Sequence, residues 1–175
     1  MRGPILLSHG SDSGPDATKV SVLAAHAEQR GWSTRRLDYR EADRQGHAAS
    51  VAPRLETLLQ AIDAASAPPV LVGSSMGSFV SGLAARRRPV AGLFLLATPL
   101  AIPGVEEGFS HPAEAPCCFV HGWQDDICPP DPVYAHARDS RADLLMLDGD
   151  HRLADQLPAI VAAFDRFLAA LEARA

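Results

Sequence analysis

The stretch Val70-Leu-Val-Gly-Ser-Ser-Met-Gly-Ser-Phe79 carries an aliphatic run into a glycine, two adjacent serines and a second glycine. An apolar run followed at once by small residues predicts a buried strand, a tight turn and a helix. A serine hydroxyl attacks a carbonyl well when it is held clear of the backbone beside a general base. A sharp strand-to-helix turn does this with the serine at its strained tip, provided the residues two positions to either side lack side chains. Ser75 has Gly73 and Gly77 at those positions, whereas Ser74 has Val72 and Met76. The spacing therefore selects Ser75 as the candidate nucleophile. The helix expected over 78–86 points its N-terminal N–H groups and positive dipole end at the reacting centre, with Met76 N–H as one candidate oxyanion donor.

Outward from this stretch, strand-like runs at 5–7, 34–39, 70–72, 90–97, 117–120 and 144–147 alternate with helical patterns. Several runs are continuously apolar, as strands are when helices cover both faces of their sheet. Val20, Leu23, Ala24 and Ala27 form one helical stripe; Val51, Leu55, Leu58, Leu59 and Ile62 form a second; Ile160, Phe164, Phe167, Leu168 and Leu171 form a third. Asp16 is expected to cap the first helix, and Pro68-Pro69 and Pro89 mark boundaries before strands. The pattern predicts an α/β fold: a three-layer αβα sandwich around about six mainly parallel strands, as a single domain over 1–175. In such sheets the loops at the carboxyl ends of the strands carry the site.

Composition bounds the function. At 175 residues the chain suffices for one core, burying roughly 70% of the surface it would expose unfolded. Its 47% apolar and 21% charged content is that of an ordinary globular protein. A net charge of −5 gives no electrostatic basis for binding nucleic acid or an anionic membrane. The basic run Arg86-Arg87-Arg88 is expected at a helix C-terminus, opposing the negative dipole end. Cys117, Cys118 and Cys128 are odd in number and fit neither a disulfide framework nor a CxxC metal site. Residues 1–7 are too short in apolar run for a secretory signal, and no run approaches a membrane span. These features point to a reducing, cytoplasmic setting.

Four strand-end loops hold the chemistry. A serine nucleophile needs a base, and the base an orienting acid. Of the histidines downstream of Ser75, His151 follows the last strand directly, where a loop reaches across the sheet toward the turn; His111 reads as exposed, His121 as a turn residue and His136 as part of a helix beginning near Asp131. Asp125 is the candidate acid, four residues beyond His121, with the adjacent Asp126 as its alternate. The first loop, His9-Gly10-Ser11, offers Ser11 N–H as the second oxyanion donor. Leu100, Ile102, Phe109 and Trp123 are candidates to line the pocket. Asp148, Asp150 and His151 lack the further ligands a metal site requires, and no metal or cofactor is expected.

With these residues in place, the chain resembles the α/β-hydrolase superfamily: HG at 9–10, GSSMG at 73–77, HGWQDDICP at 121–129 and GDH at 149–151, in the order Ser, Asp, His. The opening SHGSDSGPDATKV is similar to small bacterial serine hydrolases of the dienelactone-hydrolase-like and esterase groups. The resemblance implies a Ser75–Asp125–His151 triad with Ser11 and Met76 N–H groups as oxyanion hole. It also implies a shortened core that begins at the superfamily's third strand. Only 18 residues, 99–116, stand where many relatives insert a lid, so an open site is expected. The implied activity is a serine hydrolase cleaving small carboxylic esters or thioesters through an acyl-enzyme. Acyl transfer by the same triad, and a non-catalytic ligand-binding protein on the same scaffold, are the alternatives.

Overall fold

Aliphatic and aromatic residues alternate across the strands between two faces, so the sheet must be covered on both. The computed structural model describes residues 3–174 and shows that arrangement. Strands β1 (Ile5–Ser8), β2 (Thr34–Leu37), β3 (Val70–Ser74), β4 (Gly92–Leu96), β5 (Cys117–Gly122) and β6 (Asp143–Leu147) form one six-stranded sheet in the order β2-β1-β3-β4-β5-β6. All five pairings are parallel. Leu6, Leu71, Leu93, Leu95 and Phe119 face α3 (Val51–Asp63), α4 (Met76–Ala85) and α5 (Pro130–Ser140). Ile5, Leu7, Val70, Val72, Phe94, Leu96 and Val120 face α1 (Thr18–Gln29) and α6 (Leu157–Glu172). The result is the expected three-layer sandwich.

From β1 the chain winds first to β2 on one side and then returns to place β3 on the other. That reversal leaves a crevice between the carboxyl ends of β1 and β3, the usual position of a site in an open α/β sheet. β2 is an outer strand whose Arg35 and Arg36 are exposed, charges that discourage edge-to-edge pairing.

Asp16 does not cap α1: the residue before the helix is Ala17, with no side-chain cap, and the preceding turn closes through Ala17 N–H to Gly14 O at 3.0 Å. β2 ends at Leu37 because Tyr39 leaves the ladder and donates its N–H to His9 Nε2 instead. A short helix α2 (Arg40–Asp43) follows, too brief to show a period. The turn helix begins at Met76 and ends at Ala85, so the basic run sits at its C-terminus as expected, with Arg87 paired to Glu107 and Arg88 to Asp63. The three cysteines are free. Among the described residues no helix is long and apolar enough to cross a membrane.

Phe164 anchors the α6 layer. It is fully buried, with its ring centroid 4.9 Å from that of Phe94 on the central strand β4. Phe164→Ala should destabilise the fold by about 3–5 kcal/mol, read as a lowered urea midpoint with an unchanged slope.

Candidate active site

The turn after β3 is built as the glycine spacing requires. Ser75 adopts φ 53° and ψ −119°, a conformation costly for any residue with a side chain, of order 1–3 kcal/mol. A methyl on Gly73 would lie 2.5 Å from the Ser78 backbone. One on Gly77 would lie 2.1 Å from Ser8 O of β1. Ser78, unremarked in the sequence, fastens the helix start to β4: its hydroxyl donates to Leu96 O at 2.9 Å and accepts from Leu96 N–H at 3.1 Å. Ser74 is buried beside Ser75. Ser75 is half-buried at the tip.

His151 and Asp125 meet Ser75 there. His151 Nε2 lies 3.0 Å from Ser75 Oγ, and its Nδ1 lies 3.0 and 2.9 Å from the two Asp125 oxygens. This fixes the tautomer: Nδ1–H donates to the carboxylate, leaving Nε2 free to accept the serine proton. Of the two adjacent acids, Asp125 points inward, 3% exposed, while Asp126 is exposed.

The Asp125 carboxylate also accepts Ile127 N–H at 3.1 Å and Cys128 N–H at 2.7 Å. Burial pushes this carboxyl up, but the hydrogen bonds from His151 and Cys128 N–H outweigh burial and hold it below the usual carboxylate range. His121 is more than a turn residue. Fully buried at the end of β5, it places Nε2 2.7 Å from Cys128 O and 3.3 Å from Asp125 Oδ2, and so ties the acid loop to the sheet. Gly122 brings β5 onto the His151 loop, for a methyl there would stand 2.2 Å from Gly149 O.

Asp125, Cys128 and His151 are the described group whose donor atoms lie within 4.8 Å of one another. Its chemistry suits proton handling better than a cation: the carboxylate is filled by N–H donors, and burial, with the Asp125 charge, pushes the Cys128 thiol up to about 12. Asp148 and Asp150 turn to Gln124 and to the Arg152 and Leu153 N–H groups respectively.

The β1–α1 loop closes the other side. Ser11 reaches Met76, with Oγ 3.5 Å from its sulfur, and neither Ser11 N–H nor Met76 N–H has a backbone acceptor among the described residues. Ser75 floors a cleft of about 710 Å³ whose walls include Ser11, Lys19, His47, Ile127, Arg152 and Leu157. None of the four pocket candidates named from the sequence lines it. Ile102 and Phe109 are buried in the core beside α4, Leu100 packs against that core, and Trp123 is 52% exposed in a groove with Tyr134. Apolar loop residues here serve packing, and the segment expected to be too short for a lid contributes nothing to the cleft wall. His111 is half-buried, ringed by Phe109, Phe119 and His136. A larger hollow of about 880 Å³, among Gly3, Trp32, Pro68 and Leu171 at the opposite ends of the strands, has no serine, histidine or cysteine in its lining.

Comparison with known proteins agrees with the fold. Residues 2–159 match the model of a family described as an alpha/beta hydrolase domain. A crystal structure of an alpha/beta superfamily protein from Xanthomonas campestris is 36% identical, with a TM-score of 0.92 over 97% of this chain and 99% of that one. Two more distant structures share the fold. Est1E from Butyrivibrio proteoclasticus is 16% identical, with a TM-score of 0.78 over 98% of this chain and 89% of that one. A lidless serine hydrolase, also from Xanthomonas campestris, is 18% identical, with a TM-score of 0.71 over 95% and 81%. No curated protein matches the chain.

The lowered carboxyl of Asp125 sets a pH dependence. Its stabilising contribution is complete above the unfolded value, roughly pH 4, and is lost as pH falls through the lower folded value. Asp125→Asn should therefore melt below wild type at pH 7, with the gap closing as the pH drops below about 4. Thermal melts followed by circular dichroism check this, and a gap independent of pH would contradict it.

Proposed function

The chain belongs to the alpha/beta hydrolase family, and from that premise we propose that it is a serine hydrolase of small carboxylic esters or thioesters, acting through an acyl-enzyme on Ser75. The observation that carries the proposal is the continuous hydrogen-bonded line from Ser75 Oγ through His151 to Asp125, with the serine raised on a strained turn.

In the first step Ser75 Oγ bonds to the acyl carbon while its proton passes to His151 Nε2. The carbonyl electron pair moves onto oxygen, where the Ser11 and Met76 N–H groups and the α4 dipole stabilise it. Asp125 stabilises the imidazolium formed. Collapse of the tetrahedral species breaks the bond to the leaving alcohol or thiol, which takes the proton from His151. Water then attacks the acyl-enzyme, giving its proton to His151, and the second collapse returns that proton to Ser75 Oγ with release of the acid. No cofactor enters these steps. Ser75 is half-buried on the floor of a cleft bordered by Lys19, His47 and Arg152, from which water can reach the acyl-enzyme.

Fluorophosphonate labelling and hydrolysis of short-chain p-nitrophenyl esters test the proposal. Wild type should label and turn over, Ser74→Ala should keep most of both, and Ser75→Ala should lose both. Asp125→Asn should lower kcat by roughly 10³-fold or more, since an amide favours the wrong imidazole tautomer. Labelling that persists in Ser75→Ala would refute the assignment.

A further inference from the structure

Behind the β1–α1 loop lies a charged side chain that the steps above do not use. Arg54 of α3 is 0% exposed, on the helix face turned to the core. Burial of a guanidinium is costly unless its donors are met, and a buried ion pair alone is no more stabilising than apolar packing. Its donors are met, and in a particular direction. Nε and Nη2 grip Asp43 at 2.6 and 2.7 Å, Nη1 donates to His9 O at 2.8 Å, and Nη2 also donates to Gly10 O at 3.0 Å. The Tyr39 ring centroid lies 4.8 Å from the guanidinium carbon.

The Gly10 carbonyl receives two further donors: His9 Nδ1–H at 2.7 Å and Ser13 Oγ–H at 2.9 Å. His9 is held in the tautomer this requires, because its Nε2 accepts Tyr39 N–H at 3.0 Å. A trans peptide is a rigid plane, so Gly10 C=O and Ser11 N–H are opposite ends of one unit. Donors that anchor the oxygen on the α3 side aim the N–H the other way, and by polarising the peptide they make it a stronger donor. The unit stands at the nucleophile, for a methyl on Gly10 would touch Ser75 Cβ at 3.4 Å.

We propose that Arg54, held by Asp43, is a positioning residue of the oxyanion hole: by clamping the His9 and Gly10 carbonyls it aims Ser11 N–H at the oxygen of the tetrahedral intermediate. The proposal rests on the serine-hydrolase reading, and its test separates the two. Wild type is first labelled with a fluorophosphonate. Failure to label Ser75 overturns the underlying reading and this proposal with it.

With labelling established, kcat and KM for a short-chain p-nitrophenyl ester are measured for Arg54→Met, Arg54→Lys and Ser13→Ala. Inhibition constants are measured for an alkyl trifluoromethyl ketone, whose serine adduct places its oxygen in the hole, and for the matching methyl ketone, which binds without it. Arg54→Met should lower kcat about 10- to 100-fold with KM within about threefold. It should weaken the trifluoromethyl ketone by a similar factor while leaving the methyl ketone within about threefold, and Arg54→Lys should restore part of the loss. A folded Arg54→Met with wild-type kcat, or equal weakening of both ketones, would overturn the proposal. Should Arg54→Met fail to fold, Ser13→Ala decides, because it removes one Gly10 anchor from a partly exposed loop. A fall in kcat of about 3- to 10-fold with the same split between ketones supports the proposal, and an unchanged kcat refutes it.

Discussion

At Gly77 the first turn of α4 lies against the end of β1 so closely that a methyl would come within 2.1 Å of Ser8 O and 2.8 Å of His9 O. Backbone packs on backbone with nothing between, and the rest of the site depends on that contact. It sets the distance between the Ser75 turn and the His9-Gly10-Ser11 loop, which belong to strands adjacent in the sheet but far apart in the chain. Because β1 and β3 pair in parallel and end together, both loops open on the same rim. The same device recurs at Gly122, where a close approach to Gly149 O brings the Asp125 loop beside His151.

Two buried charges complete the arrangement, each neutralised in a way that leaves a polar group aimed outward. Asp125 takes N–H donors from its own loop and from His151, so the imidazole is oriented with Nε2 toward the serine. Arg54 gives its donors to Asp43 and to two carbonyls, fixing peptide planes rather than a ring. In both cases the buried ion costs solvation and is compensated by directional bonds. Such bonds specify geometry more strongly than apolar contacts of similar area do.

The sequence was most legible where local sterics decide. Glycines two residues to either side of Ser75 distinguish it from Ser74, and the strand-to-helix turn appears in the structure at the expected place with the expected strain. Reading was poorer where a side chain's destination depends on a distant neighbour. Leu100, Ile102, Phe109 and Trp123 are apolar loop residues, which sequence alone cannot assign to cleft, core or surface, and none of them reaches the cleft. His121 looked like a turn residue because its partner, the Cys128 carbonyl, is supplied by the fold of the loop beyond it. Arg54 did leave a trace: it stands three residues after Val51 and four before Leu58, a charge on the apolar stripe itself. A charged residue on a buried face needs a partner, and the sequence held that signal without naming Asp43.

By itself, then, the sequence determined the layered α/β architecture, the nucleophile turn and the chain order of the three polar groups, because periodicity and glycine spacing act over a few residues. The tertiary structure alone decided that Asp125 rather than Asp126 turns inward, that His151 closes on Ser75 across 76 residues of chain, and that Arg54 stands behind the oxyanion loop. Those choices follow from strand order and loop burial, which bring together hydrogen-bonding groups that no local pattern relates.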